Sequence, residues 1–441
     1  METRAEFSPF PIAPATLEET GLSQELVTGL VLKALHLFGE ATGHELSKRL
    51  GLVFGAIEPV LESLKAQQLC EIMGGALIGG ASYRYRLSDA GHERAVAYLA
   101  RSYYTGTAPV TMRQYRRYMD EFMRLASREA TNQQVRDAFS HLVIEESVLD
   151  QLGPAINSGH SIFIYGPPGN GKTAMAKSVR TLLGGVIAIP HALEVEGQII
   201  RLFDRAIHEP VAEVARDEFS ADRLDRRWVL CRRPMVSVGG ELTMEALGLG
   251  YNTRSGVYRA PIQAMANGGV LLIDDFGRQR CAPRDLLNWW MVPLESRVEY
   301  LMLQSGEKLE MPFAALVIFS TNLRPAELVD EAFLRRIRYK IWAENPTVDA
   351  FIRIFERCCE ERHIAFDRTM VEALISSFYR PRRIELRACQ PRDLIDQALT
   401  LAHYHGQPRQ LTFELLHTVC AAYFMDTSHS DSARAWPIMA P

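Results

Sequence analysis

The sequence predicts an α/β protein built on a doubly wound parallel sheet, with a C-terminal helical domain and a smaller N-terminal helical domain. Three observations lead to this prediction. Residues 151–345 alternate strand-length apolar runs with helical patterns, as expected for a parallel sheet covered by helices. Within this stretch a glycine-rich loop directly follows an apolar run. Residues 346–426 contain four helical patterns and no convincing strand.

Length and composition exclude several classes of protein. The 441 residues are enough for roughly two or three domains, and the hydrophobic fraction of 47% supports real cores. The net charge of −4 argues against a protein that coats nucleic acid, although a local basic patch stays possible. Seven cysteines without a C-x-x-C pair favour reduced thiols and a cytoplasmic location. Without an apolar leader or a membrane-length apolar run, we expect no membrane insertion.

The chain is predicted to divide into six segments. These are a flexible N-terminus (1–20), an N-terminal helical domain (21–100), a connector (101–134), an α/β core (135–345), a helical lid (346–426) and a disordered tail (427–441). The expected strands of the core are 161–165, 186–189, one around 228–238, 269–274, 315–320 and 338–342.

Residues 21–100 show the pattern helix, helix, helix, hairpin, helix. Thr42, with Glu45 three residues later, predicts a capped start for the second helix. The set resembles a winged helix-turn-helix domain. Its third helix, in 53–65, carries two acids, one lysine and no arginine, which favours protein docking or oligomer support over DNA contact. Arg84 and Arg86 of the predicted wing keep DNA contact open.

The strongest local signal is a phosphate-binding loop. Residues 166–173 fit G-x-x-x-x-G-K-[ST] and follow the apolar run 162–165. Backbone N–H groups of such a loop form an anion cradle at a helix start. Lys172 is expected to reach the β and γ phosphates, and the Thr173 hydroxyl to bind Mg²⁺. The predicted nucleotide-binding residues are Gly166, Pro167, Pro168, Gly169, Asn170, Gly171, Lys172, Thr173 and Ala174.

Two further apolar runs end in polar residues. Residues 269–273 lead into Asp274, predicted to hold Mg²⁺, and Asp275, predicted to polarise the attacking water. Residues 316–321 lead into Asn322, which neighbouring strand ends would place beside Asp275 to orient that water. An exposed acidic strand end and a turn asparagine are the alternative interpretations.

Three arginines are candidates for sensing the γ phosphate. Arg335 and Arg336 precede the expected strand 338–342, and Arg392 lies at the start of a helix in the lid. A guanidinium is always charged and can stabilise the charge that spreads in phosphoryl transfer. A surface salt bridge is the alternative role for Arg335 and Arg336.

The order and spacing of these motifs over residues 135–426 resemble an AAA+ ATPase. The resemblance implies that Asn322 is sensor 1 and Arg392 is sensor 2. It implies that Arg336, or as second choice Arg335, is an arginine finger acting on a neighbouring subunit. It further implies ATP and Mg²⁺ as ligands, ATP hydrolysis, and a homo-oligomeric ring, expected to be a hexamer.

A helix at 285–295 is followed by two alternating runs, 298–303 and 308–313, around a Ser-Gly turn. This predicted hairpin is similar to that of MoxR-type AAA+ proteins. The resemblance implies remodelling of a protein partner or assembly, or help with metal insertion. Two alternatives stay open. One is a DNA-linked ATPase or regulator that uses the winged helix. The other is a slowly hydrolysing, ATP-dependent assembly switch, because Asp275 stands where the family usually has Glu.

Three regions are interpreted conservatively. The arginines of 113–128 lie on a predicted helix and favour a solvated or inter-subunit face over a phosphate-contacting strip. Residues 191–228 favour a solvated helical face. Residues 249–252 are the nearest candidate for a pore loop, although a plain loop is favoured.

Overall fold

The structure is a computed structural model that describes residues 10–73, 79–126, 130–211, 224–328 and 334–424. The predicted tail 427–441 and residues 1–9 of the predicted flexible segment lie outside the described residues. The chain divides into two compact units. The first comprises residues 1–139, 147–165 and 173–341, and the second comprises 140–146, 166–172 and 342–441.

The helices alternate with strands through the first unit and follow one another in the second. They are α1 (Leu17–Thr20), α2 (Gln24–Phe38), α3 (Gly43–Leu50), α4 (Phe54–Ala66), α5 (Asp89–Arg101), α6 (Met112–Ala126), α7 (Asn132–Phe139), α8 (Glu146–Asn157), α9 (Lys172–Leu183), α10 (Ile262–Met265), α11 (Pro283–Ser296), α12 (Pro325–Leu328), α13 (Val348–Glu361), α14 (Arg368–Leu374), α15 (Arg380–Arg382), α16 (Gln390–Tyr404) and α17 (Phe413–Tyr423).

The strands are short, and they form several sheets. They are β1 (Glu40–Thr42), β2 (Cys70–Ile72), β3 (Arg84–Leu87), β4 (Val110–Thr111), β5 (Ile162–Tyr165), β6 (Val186–Pro190), β7 (Ala192–Val195), β8 (Gln198–Arg201), β9 (Trp228–Arg232), β10 (Met235–Val238), β11 (Gly250–Asn252), β12 (Val257–Arg259), β13 (Val270–Ile273), β14 (Val298–Met302), β15 (Lys308–Pro312), β16 (Leu316–Thr321) and β17 (Tyr339–Trp342).

The N-terminal elements follow the predicted order. Helices α2, α3 and α4 are followed by strands β2 and β3 and then by α5. Strand β1, which was not predicted, lies between α2 and α3 and completes an antiparallel sheet of order β1-β3-β2. The Thr42 hydroxyl accepts from the Glu45 N–H, and the Glu45 carboxylate accepts from the Thr42 N–H, which completes the expected capping box. Ser88 caps α5 in the same manner, accepting from Gly91 N–H.

The prediction of a flexible segment up to residue 20 is wrong for its last residues. Helix α1 is capped by the Thr16 side chain, and Leu17 and Thr20 are buried. Burial of Leu17 against the N-terminal core stabilises this short helix, which local composition gave no reason to expect.

The predicted central sheet is present, in the order β10-β13-β16-β5-β17. Strands β10, β13, β16 and β5 run parallel, with Val270 opposite Leu316 and Ile318 opposite Ile162. Because parallel strands expose their carboxyl ends at one edge, the residues that follow β13 and β16 come together there. Behind this edge the Phe163 and Phe319 rings stack with centroids 5.6 Å apart.

A second five-stranded sheet, of order β11-β12-β8-β7-β4, was not predicted. Strand β6, expected in the central sheet, instead pairs antiparallel with β9, so the single strand expected around 228–238 is two strands in different sheets. The second sheet shares its core with the N-terminal elements through Ala192, Ile199 and Val257. Residues 21–100 therefore do not form a separate compact unit.

Two interpretations of this region need correction. Residues 192–201 form the β7–β8 hairpin rather than a solvated helical face. Arg227 is buried, because its guanidinium pairs with Asp225 at 2.7 Å and donates to the Pro109 carbonyl at 3.3 Å.

Residues 250–252 are strand β11, paired with β12, rather than a pore loop or a plain loop. These short strands lack the alternation of apolar and polar residues that would have predicted them.

The predicted hairpin is present. Helix α11 precedes β14 and β15, which pair antiparallel with Tyr300 opposite Glu310. Helix α6 carries the expected arginines up to Arg124, and Arg128 lies outside the described residues. Arg113, Arg116 and Arg117 are exposed, while Tyr115 and Phe122 are buried. Arg116 pairs with Glu310 at 2.5 Å. The exposure of these arginines therefore agrees with the solvated face that the sequence favours.

The second unit contains the four predicted helical stretches and no strand among its described residues after 342. Helices α13, α16 and α17 form three of them. The fourth comprises α14, a π-helical turn at Ile375–Tyr379 and α15. Side-chain caps from Thr347, Asp367 and Thr412 start α13, α14 and α17. Throughout the described ranges, no helix has the length and apolarity needed to cross a membrane.

Candidate functional site

The glycine-rich loop comprises residues 166–172. Two of its positions require glycine, because a side chain at either one would collide with a neighbouring residue. A Cβ on Gly166 would lie 2.4 Å from the Ala343 carbonyl oxygen, and one on Gly169 would lie 2.5 Å from the Cys389 sulfur. Both glycines have positive φ, at 146° and 82°. The loop backbone is thus held in a conformation that other residues disfavour.

Lys172 is buried at the end of this loop. Its Nζ donates to the carbonyl of Gly166 at 3.0 Å and to that of Pro167 at 2.8 Å. An ammonium held by neutral carbonyls would gain a stronger, charge-assisted bond from a phosphate oxygen. The position suits the phosphate-binding role that the sequence predicts.

Asn170 has a structural part in the loop. Its side chain donates to Asn345 Oδ1 at 2.8 Å and accepts from the Ala388 N–H at 3.3 Å. The Cys389 N–H donates to the Gly169 carbonyl at 2.8 Å. Burial raises the pKa of the Cys389 thiol, so this neighbour of the loop stays uncharged. The C-terminal helical segment therefore holds the loop directly.

The Thr173 side chain and Asp274 lie together at the carboxyl edge of the central sheet. The Thr173 hydroxyl is 2.9 Å from one Asp274 carboxylate oxygen and 3.1 Å from the other. A hydroxyl beside a carboxylate is the oxygen ligand set that Mg²⁺ uses with phosphates. These two residues fit the predicted metal role.

Asp275 and Asn322 also meet, as the strand order predicts. Asn322 Nδ2 lies 3.4 Å from Asp275 Oδ1, and Asp275 is exposed. Asp275 has a φ of +48°, in the left-handed region. Aspartate adopts this region more readily than glutamate because its short side chain bonds locally. The backbone conformation therefore favours Asp at position 275, where the family that the sequence resembles usually has Glu.

Two residues that sequence reasoning missed position this pair. The Gln279 amide donates to the Asp274 carbonyl at 2.9 Å and accepts from the Gly277 N–H at 2.8 Å, which ties the turn after β13. Phe276 is buried with its ring centroid 5.2 Å from that of Phe319. The only sequence signals were an apolar residue directly after the acids and a glutamine four positions after Asp275.

The paired arginines, Arg335 and Arg336, lie just before strand β17. Arg336 forms an ion pair with Glu295 of α11 at 2.6 Å, and its side chain is 29% exposed. Arg335 is more exposed. Within one chain, then, Arg336 is engaged by a carboxylate at the end of α11.

Arg392, the predicted sensor 2, is exposed and paired with its neighbour. Its guanidinium lies 3.1 Å from Asp393, which raises the pKa of Arg392. Arg387, which the sequence analysis did not select, donates from Nη1 to the Pro168 carbonyl at 3.3 Å. Of the two, Arg387 is the one in contact with the glycine-rich loop.

Comparisons with known proteins give one partial family match and distant structural likenesses. A family described as a domain of unknown function, DUF8689, matches residues 347–422. No curated protein matches the chain. The RuvB Holliday junction branch migration motor of Thermotoga maritima has a TM-score of 0.37 at 14% identity, covering 64% of this chain and 70% of that chain. NtrX from Brucella abortus has a TM-score of 0.38 at 15% identity, covering 64% and 56%. NtrX in complex with ATP gives 0.36 at 15% identity, covering 62% and 56%.

Proposed function

We propose that this protein is a Mg²⁺-dependent ATP hydrolase of the AAA+ type. The observation that carries the proposal is the Thr173–Asp274 contact of 2.9 Å, with Asp275 next in the chain and Asn322 beside it. These groups stand in the order that phosphoryl transfer to water needs, with a metal ligand pair, a base and a polar group for the water. A glycine-rich loop with a buried lysine directly precedes Thr173.

Each residue has a distinct part in the proposed reaction. The loop amides and Lys172 bind the phosphates, and Thr173 and Asp274 would hold Mg²⁺, which offsets negative charge on the phosphate oxygens. Asp275 accepts a proton from water, and Asn322 orients that water. ATP rather than GTP rests on the AAA+ resemblance, since the sequence has no N-K-x-D-type guanine reader.

We further propose that hydrolysis takes place in a homo-oligomeric ring. Arg336 exchanges Glu295 for the γ phosphate of a neighbouring subunit, with Arg335 as the second choice. Arg387, because it contacts the loop, joins Arg392 as a candidate for reporting the nucleotide's state to the helical lid. Residues 21–100 serve as a winged-helix adaptor for a protein partner, which the ring remodels, and the protein is cytoplasmic.

A second candidate is an ATPase linked to nucleic acid. Arg201 and Arg259, which are exposed and lie side by side on β8 and β12 of the second sheet, favour this function. Such an ATPase would use the same hydrolysis site. A slow assembly switch is the remaining alternative, and the left-handed backbone at Asp275 is compatible with it.

The test is ATP hydrolysis per subunit as a function of protein concentration. Wild-type protein is compared with Lys172→Ala and with Lys177→Ala, which removes an exposed lysine from the same helix. We expect a rate that rises with concentration, abolished in Lys172→Ala and kept in Lys177→Ala. Equal ATP binding and equal rates in all three proteins would refute the site assignment.

A further inference from the structure

The second sheet contains a cleft that the proposed hydrolysis site does not use. Its volume is about 1060 Å³, and it lies where the segment after β8 meets the β11–β12 hairpin. The lining belongs entirely to the first unit. Small-molecule pockets run from about 300 to 1,000 Å³, so the cleft is at the upper limit for one small ligand and suits part of a longer molecule.

Four arginines line the cleft: Arg201, Arg205, Arg254 and Arg259. All four are exposed. The lining has a single carboxylate, Asp204, which pairs with Arg259 at 3.1 Å. Among the described residues no carboxylate forms an ion pair with the other three. The lining therefore carries a strong positive charge in a chain whose net charge is −4.

The pairing register places two of these arginines side by side. Arg201 of β8 and Arg259 of β12 are direct partners in the parallel pair. Like charges at partnered positions of neighbouring strands destabilise a sheet. An anion bound between the two guanidinium groups would offset this repulsion.

The hairpin tip holds a third arginine in a fixed position. Asn252 Oδ1 accepts from the N–H groups of Arg254 and Ser255 at 3.0 and 3.1 Å. The Ser255 carbonyl accepts from the Tyr103 N–H at 2.8 Å. The tip is thus organised before any ligand binds, which lowers the entropy cost of binding.

Aromatic rings lie among the charges. Phe203 and Tyr251 line the cleft and are only partly buried. Each ring rests on another: Tyr251 on Tyr258 with centroids 4.7 Å apart, and Phe203 on His208 at 5.6 Å. Burial, followed by the charge of nearby Arg205, lowers the pKa of His191 in the lining. Rings interleaved with guanidinium groups are how proteins bind unpaired bases and their phosphates.

We propose that this cleft binds single-stranded nucleic acid, with phosphates on Arg201, Arg205, Arg254 and Arg259 and bases stacked on Tyr251 and Phe203. A duplex should bind more weakly, because its base faces are stacked internally and cannot stack on Tyr251 and Phe203. The inference does not depend on the proposed ATPase, since none of its residues lies in the glycine-rich loop or follows β13 or β16.

The experiment is fluorescence anisotropy of the full chain with labelled 20-nucleotide dT and U strands and a duplex of the same length. The Lys172→Ala background removes binding of phosphates at the glycine-rich loop. We expect both single strands to bind, and the duplex to bind at least about tenfold more weakly. With three to four phosphate contacts, log K should fall against log salt with a slope of about −2 to −3.

The double variant Arg201→Gln/Arg259→Gln should bind at least about tenfold more weakly, with a slope shallower by about 1.4. The matched control is Arg113→Gln/Arg117→Gln, which removes the same charge from α6 and should bind as the parent. Tyr251→Leu should lose about 5- to 100-fold in affinity, while Tyr251→Phe keeps the ring and the binding.

Several outcomes would overturn the proposal. The first is that neither single strand binds at low salt, and the second is that the α6 control variant loses as much affinity as the cleft variant. The third is that the duplex binds as tightly as the single strands. The fourth is that equimolar inorganic tripolyphosphate displaces the strand completely, which would make the cleft a small-anion site. Unchanged thermal midpoints of the variants show that any loss is not one of folding.

Discussion

The Thr173 hydroxyl lies 2.9 Å from an Asp274 carboxylate oxygen across 101 positions of sequence. Thr173 is the second residue of α9, which begins at Lys172 of the glycine-rich loop, and Asp274 directly follows strand β13 of the central sheet. Parallel strands with helices between them bring such ends to a common edge. The contact links the loop motif to the acidic motif, and the first predictions below concern Thr173 and Asp275 at this edge of the sheet.

Thr173→Val should raise the Mg²⁺ concentration needed for hydrolysis by about tenfold or more, because it deletes one oxygen ligand at constant side-chain volume. The measurement is the rate of ATP hydrolysis in a Mg²⁺ titration. Ser178→Ala is the control, since its hydroxyl donates to the Ala174 carbonyl within α9. An unchanged Mg²⁺ midpoint in Thr173→Val would contradict the metal assignment.

Asp275→Asn should retain ATP binding and lose hydrolysis by about a hundredfold or more, because the amide cannot accept a proton from water. Asparagine tolerates the φ of +48° at this position, so the fold should be unaffected. Binding and single-turnover rates separate the two effects. Asp285→Asn, an exposed acid in the first turn of α11, should hydrolyse as wild type.

Asp275→Glu completes this test. Glutamate in the left-handed region should destabilise the protein by about 1 kcal/mol. A large rate increase despite that cost would support the slow assembly switch over the fast hydrolase.

Arg336→Ala should bind ATP and lose about a thousandfold in hydrolysis if its guanidinium completes a neighbouring site. Mixing it with Lys172→Ala should restore part of the activity, because each mixed interface can combine an intact loop with an intact arginine. Arg335→Ala, tested in the same way, decides between the two arginines. If mixing restores nothing although both variants assemble, Arg336 acts within its own chain, for instance through Glu295.

Arg387→Ala should weaken ATP binding by about tenfold, whereas Arg392→Ala should change it less. Arg387 contacts the Pro168 carbonyl, while the Arg392 guanidinium is already paired with Asp393. A charge-assisted hydrogen bond of about 1.5–3 kcal/mol accounts for a loss of this size. The measurement is binding of a fluorescent ATP analogue, and the reverse order would restore Arg392 as the sensor.

Glu299→Gln should remove part of the pH dependence of stability. Burial raises the pKa of Glu299 to about 7, despite the hydrogen bonds it accepts from Trp289 and Gln263. Between the unfolded value of 4.5 and about 7 the folded state keeps a proton that the unfolded state releases. Folding stability should therefore fall as pH rises through this window, by on the order of 3 kcal/mol.

Urea unfolding between pH 4.5 and 8 measures this slope in wild type and in Glu299→Gln. The control is Glu307→Gln, an exposed acid of the same hairpin, which should keep the wild-type slope. Equal slopes in all three proteins would show that Glu299 titrates normally.

Local patterns alone predicted much of this protein. The glycine-rich loop and the acids after β13 each depend on residues close in sequence, and Asn322 follows from strand order. The Thr42 cap and the four C-terminal helices are local in the same way. Their physical causes, namely backbone conformation, capping and hydrophobic period, act over a few residues and are readable from one chain.

The tertiary structure decided what depends on distant partners. Strands β7, β8, β11 and β12 have three or four residues each and become a sheet only when they pair. Arg227 looked solvated, and Asp225 together with the Pro109 carbonyl allows it to be buried. The basic cleft arises because β8 and β12 bring Arg201 beside Arg259, residues far apart in the chain. Long-range pairing and desolvation have no period in the sequence, so only the folded chain shows them.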